Sequence, residues 1–130
     1  MTRYLSDDWF DAAGAAITAS ESLAAATAGV TLGIDYEVTG TPFGKRRYGV
    51  RLNEGSVRFE VPPEGEAEVS FTVDYDTACE IARGVLPVQV AFMQGRLKLD
   101  GDVAVLVRSG PALDEVTDVF AALRDSTEFS

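Results

Sequence analysis

The chain has no histidine and a single cysteine, Cys79. Serine–histidine and cysteine–histidine nucleophiles are therefore ruled out, as are zinc sites built on histidine. Carboxylates remain as metal ligands and suit hard cations, but no aspartate-rich loop of calcium-binding spacing occurs. No motif calls for a cofactor. Asp35 and Glu37 stand two apart in an alternating segment, which directs both to the solvent side of a strand and away from paired-carboxylate chemistry. Cys79 lies between Ala78 and Ala82 on an apolar helical face, where a thiol is a packing group. Lys45-Arg46-Arg47 is the one basic cluster and reads as a solvated loop end, with headgroup or acyl-carrier contact as its functional alternative. Tyr36 and Tyr48 fall on inward positions. Their hydroxyls, set among apolar side chains, are the polar groups best suited to orienting the head of a ligand.

These side chains have to be positioned by a chain of 130 residues, 46% hydrophobic and 25% charged. That is enough for one domain, residues 1–130, with a sizeable core and neither metal nor disulfide. A net charge of −10 repels nucleic acid phosphates and anionic membranes. The start, MTRYLSDDWF, carries acids where a secretory signal would be apolar, and no apolar run has the length of a membrane span. The expectation is a cytoplasmic protein without stable membrane insertion. A homodimer stays open.

Periodicity supplies the elements. Ser6 reads as an N-cap, with Asp7 and Asp8 in the first turn and Leu5 and Phe10 at the positions of a hydrophobic staple. The helix carries Trp9, Ala13, Ala16 and Ile17 on one face, and a second short helix capped by Ser20 ends at Gly29. The period then drops to two in 30–38, 47–52, 57–61 and 67–74, the pattern of strands with one wet face. Glu54-Gly55 is a two-residue hairpin turn that sets Leu52 opposite Val57, Val50 opposite Phe59 and Tyr48 opposite Val61. The same register faces Arg51 with Arg58, and the diagonal Glu60 can relieve that pair. TGTPFGKR, 39–46, reads as a long loop.

After the strands come a helix capped by Asp74 or Asp76 and a short apolar helix that starts at Pro87, carries Val90 and ends on Phe92-Met93. A fifth strand covers 96–100, and Val103 to Val107 reads equally as strand or helix. A last helix after Pro111 has Leu113, Val116, Phe120 and Leu123 on one stripe, while Asp114, Glu115, Asp118 and Arg124 face water. With so few anchors it is expected to lie over a cavity mouth near Phe92 and Met93 as a lid. The order is that of an α+β fold, a sheet covered on one face by helices.

AFMQGRLKLDGDVAVLVR resembles the signature of the sterol carrier protein family: a helix ending Phe-Met-x-Gly, an alternating strand, a glycine-acid turn and a closing apolar helix. DYDTACEIARG is similar to that family's preceding helix and VTLGIDYEVTG to its first strand. YLSDDWFDA and LDEVTDVFAALRDSTEF resemble the ends of single-domain bacterial members of actinobacterial type. The resemblance implies an α+β fold with a five-stranded mixed sheet enclosing an apolar cavity for a sterol, a fatty acid or an acyl thioester. It assigns Phe92 and Met93 to the Phe-Met pair, Leu97 and Leu99 to inward strand positions, and Val103, Leu106 and Val107 to the closing helix, and so favours helix there. With Trp9, Ile34, Tyr36, Tyr48, Phe71, Val90 and Phe120, these residues (Leu99 apart) are the expected lining. The implied partner is a lipid-like small molecule. An enzyme or tailoring factor on the same fold, or a protein-interaction module whose interior is simply filled, are the alternatives.

Because no residue set here suits a structural metal, prolonged treatment with a chelator is expected to leave the thermal melting temperature unchanged. Loss of fold on chelation would contradict that.

Overall fold

The computed structural model describes residues 2–64 and 67–129, the side chains at 88, 89, 103, 106 and 113 excepted. In chain order the elements are β1 (Thr2–Arg3), α1 (Asp7–Ala19), α2 (Glu21–Ala26), β2 (Thr31–Thr41), β3 (Gly44–Asn53), β4 (Ser56–Glu60) and β5 (Val69–Asp74). There follow α3 (Tyr75–Ala82), α4 (Val88–Met93), β6 (Leu97–Gly101), α5 (Val103–Arg108), α6 (Gly110–Ala122), a 3-10 turn (Arg124–Ser126) and β7 (Thr127–Glu128). β1 and β7 pair in parallel and tie the two ends of the described chain together.

The helix starts obey their caps. The Trp9 amide donates to Ser6 Oγ (3.2 Å) and the Leu23 amide to Ser20 Oγ (3.1 Å). The Thr77 amide donates to Asp74 Oδ1 (3.3 Å), which selects Asp74 over Asp76 as the cap of α3. Val103 to Val107 is helical, with Asp102 Oδ1 accepting from the amides of Ala104 and Val105. That local cap decides a segment that periodicity leaves ambiguous.

The five-stranded sheet has the order β4-β3-β2-β5-β6 and is mixed, since β2 and β5 run parallel while the other neighbours are antiparallel. Leu52 pairs with Val57 and Val50 with Phe59, as the Glu54-Gly55 turn requires; both turn residues have positive φ. β4 ends at Glu60, so Tyr48 has no partner at Val61, and Pro62 offers no amide to continue the ladder.

The long loop expected over 39–46 is absent. β2 and β3 run on to Thr41 and Gly44, leaving Pro42-Phe43 as a tight turn. The residues that signalled a loop do other work: the register shifts between Val38 and Thr41, and Gly40 has φ +71°, a bulge rather than a break.

The sheet has a dry face and a wet one. On the wet face Arg51 lies between Asp35 (2.8 Å) and Glu60 (3.3 Å), and its guanidinium also donates to the carbonyls of Ile34 (3.2 Å) and Glu64 (3.0 Å). Glu60 also reaches Arg58 at 3.5 Å, so the facing arginines share a carboxylate. Asp35 is thus a structural partner of Arg51, and Glu37 pairs with Arg47 (3.6 Å) and Lys45 (4.0 Å). The chain crosses from β4 to β5 over this face. A Cβ at Gly49 would sit 2.9 Å from Arg51 Nη1 and 3.2 Å from Pro63 Cβ, so glycine there gives the crossing and the Arg51 side chain room to lie close to the sheet.

The Arg51 side chain is 11% exposed and that of Arg58 70%. Arg51→Ala leaves Asp35 and Glu60 without their shared cation and is expected to cost about 3 kcal/mol. Arg58→Ala should stay within about 0.5 kcal/mol of wild type, and urea unfolding of the two variants measures the contrast.

Candidate functional site

On the dry face, cross-strand pairing lines side chains up in rows. One row runs Phe59, Val50, Ile34, Val69 and Gly101 from β4 to β6. The next runs Tyr48, Tyr36, Phe71 and Leu99, and a third Val38, Val73 and Leu97. The aliphatic row is roofed by Ile17, Leu23, Ala112 and Val116 and forms a closed core. The two rows beyond it floor an apolar cavity of about 710 Å³, walled by Ala78, Ile81 and Ala82 of α3, by Leu86, Pro87, Phe92 and Met93, and by Phe120 and Ala121 of α6.

The floor is aromatic because of register. Tyr36 pairs directly with Tyr48 on one side and Phe71 on the other, so the three rings stack, at 4.8 Å and 11° for the tyrosines and 5.6 Å and 21° for Tyr36 and Phe71. Trp9 closes the side, edge-on to Tyr4 at 5.0 Å and 87°. Tyr4 and Tyr48 both border the cavity. Burial pushes the phenols of Tyr4, Tyr36 and Tyr48 well up from their ordinary range, and for Tyr48 the neighbouring phenols of Tyr4 and Tyr36 add to the effect. These hydroxyls stay neutral and can donate or accept hydrogen bonds. Cys79 is buried and its thiol is also pushed up, by burial first, although a hydrogen bond with Tyr75 opposes the shift. It is a packing thiol, not a nucleophile.

Of the expected lining, Trp9, Tyr36, Tyr48, Phe71, Phe92, Met93, Leu97 and Phe120 border the cavity. Ile34 does not: it faces the right side of the sheet but lies in the aliphatic row, under the closed core. Val90 and Val107 point outward as exposed side chains, Val107 being 72% exposed, because α4 and α5 are short and turn only one edge inward. The side chains of Val103 and Leu106 lie outside the described residues. Phe120 borders the same cavity as Phe92 and Met93 and also packs on the core. It sits between the two core clusters, within 6.0 Å of the Trp9 ring and 6.2 Å of that of Tyr48, and α6 packs on α1 and α2. Sequence reasoning missed Tyr4, Val38, Val73, Ile81 and Leu86 as lining and took Arg124 as water-facing. Val73 and Val38 carried the inward alternation signal, whereas nothing local marks Tyr4 or Arg124.

A mixed sheet whose dry face is closed at one end and opens on a cavity at the other defines a ligand-holding α+β domain. The chain belongs to the SCP-2 sterol transfer family, whose model matches residues 10–114, and this places it among lipid-binding and lipid-transfer proteins. No protein of curated function matches it by sequence. Its fold is similar to that of a conserved hypothetical protein from Thermus thermophilus (TM-score 0.73, 23% identity, covering 95% of this chain and 91% of the other). It is also similar to sterol carrier protein 2 (TM-score 0.72, 23% identity, 92% and 98%) and to palmitated SCP2L2 of Aedes aegypti (TM-score 0.51, 25% identity, 68% and 73%). Among the described residues no helix is long and apolar enough to cross a membrane.

The three buried phenols make alkaline stability a readout of the site. Their folded pKa values are raised, so the folded state keeps protons that the unfolded chain releases above about pH 10. Their contribution is complete below that pH and is lost as pH rises beyond it, by up to about 1.4 kcal/mol per pH unit for each tyrosine. Denaturant unfolding as pH is raised past about 10 should show this fall, and Tyr36→Phe should make it shallower.

Proposed function

We propose that the chain is a non-enzymatic carrier that holds one lipid-like molecule, a fatty acid, acyl thioester or sterol, in the cavity between the aromatic floor and α3, α4 and α6. The observation that carries this reading is the cavity itself, about 710 Å³ and bounded mainly by apolar side chains. That size falls within the roughly 300–1,000 Å³ of small-ligand sites. Membership of a lipid-transfer family supports it, as does the description of a relative of the same fold, SCP2L2, in palmitated form. The polar groups at the floor are phenols held neutral by burial. They can orient a ligand head by hydrogen bonding but supply no base near neutral pH, which favours carriage over turnover.

Phe92 and Met93 border the cavity and are 53% and 83% exposed, so they form its rim and the natural point of ligand exchange. Leaving such side chains in water costs free energy that a bound chain would recover on covering them.

Ala121 lines the cavity from α6, a helix held by other residues of its surface. Ala121→Trp should fill the space, weakening binding of a fluorescent fatty acid or sterol probe by at least about tenfold, or roughly 1.4 kcal/mol, while the melting temperature changes little. Native mass spectrometry with extraction of the bound species identifies the natural ligand. Failure of fatty acid, acyl thioester and sterol probes alike to bind the wild type would refute the carrier reading.

A further inference from the structure

Asp114, Thr117, Ala121 and Arg124 follow one another at spacings of three and four and all border the cavity. They form a second stripe along and just beyond α6, distinct from the buried one through Ala112 and Val116. Among the described residues Arg124 is thereby the one cation on the cavity wall.

It is also held still. Arg124 Nε donates to the Ala82 carbonyl at the end of α3 (2.8 Å). A Cβ built on Gly84 would lie 3.1 Å from each of Arg124 Cζ, Nη1 and Nη2, so the guanidinium lies flat over a residue that has no side chain. Gly84 has φ +77°, a conformation that keeps glycine there on backbone grounds as well. Among the described residues no carboxylate lies within ion-pair distance of this guanidinium; Arg3, Arg83 and Arg108 share that property but do not border the cavity, whereas Arg46, Arg47, Arg51, Arg58 and Arg96 each have an acid partner. In a chain of net charge −10, an arginine fixed by its Nε, with no acid against it and facing an apolar cavity, is a prepared anion receptor. Asp114 stands at the other end of the stripe, roughly 15 Å away along the helix axis, and biases an anionic head toward the Arg124 end.

We propose that Arg124 receives the carboxylate of a long-chain acid whose hydrocarbon lies over the aromatic floor, making the carrier selective for acids over neutral amphiphiles of the same chain. This rests on the carrier reading above. Gly84 acts as a positioning residue.

The test is displacement of a neutral polarity-sensitive dye from the full chain by palmitic acid, cetyl alcohol and cetylamine. The wild type should bind the acid about tenfold or more tighter than the alcohol, and the amine most weakly, against the sign of the net charge. Arg124→Gln should abolish the preference for the acid and leave affinity for the alcohol within about twofold. Arg124→Lys, which keeps the charge but loses the bond to Ala82, should retain part of the preference and provides the comparison if the glutamine variant does not fold. Equal binding of acid and alcohol by the wild type would overturn this inference and leave the carrier reading standing. So would loss of both ligands in parallel with a lowered melting temperature in Arg124→Gln, or a full preference for the acid in a variant without the cation. Failure of all three amphiphiles to displace the dye from the wild type would overturn the carrier reading, and this inference with it.

Discussion

Because β5 runs parallel to β2, the chain leaving β4 has to pass two strands before it can pair, and it does so on the wet face of the sheet. Arg51 secures that passage by joining Asp35 of β2, Glu60 of β4 and the Glu64 carbonyl in one charge-assisted cluster, and Gly49 leaves the space beneath it. With the crossing on that side, β5, α3, α4 and β6 continue on the far side of β2 and the helices gather over the dry face. Parallel pairing also fixes the contact between Tyr36 and Phe71, and so completes the row of rings that begins at Tyr48.

The two ends of the dry face differ in what covers them. Branched aliphatic side chains from the sheet meet Ile17, Leu23 and Val116 and interdigitate to a closed interior. At the other end, rings stand upright from the floor and brace one another, Tyr36 on Tyr48 and Trp9 against Tyr4, so the wall keeps its shape without being filled. Stacked rings lose little freedom when a ligand arrives, which lowers the ordering cost of binding. Phe120 touches both regions and separates the closed core from the space.

Polar chemistry in the cavity is graded from floor to wall. Phenols kept neutral by burial lie at the floor and a fixed guanidinium lies on the α6 side. The acids that give the chain its net charge are spent mainly on caps, ion pairs and the outer surface, as with Asp74, Asp102 and Glu37.

Much of the fold was legible in local sequence because its causes are local. Ser6, Ser20 and Asp102 cap helices wherever those helices go, and the Glu54-Gly55 turn dictates a register that alternation confirms. Alternation also tells which face of a strand is dry, and for Tyr36, Tyr48 and Phe71 that face is the cavity's. It does not tell which row of that face lies under a filled roof. Ile34 and Tyr36 are equivalent in period, yet one is in the closed core and the other on the floor, since the covering residues come from α1, α2 and α6, remote in sequence. The glycines at 40 and 44 signal a break in the chain or a bulge equally well until the partner strand is present. Arg124 looked solvated because helical spacing from Phe120 cannot show that Ala82 and Gly84 wait beside it. The sequence by itself determined the elements, their caps and the dry side of the sheet, all matters of neighbouring residues. Only the tertiary structure decided where the dry side stays empty and which charge borders the space, because those depend on contacts between segments brought together by the parallel crossing.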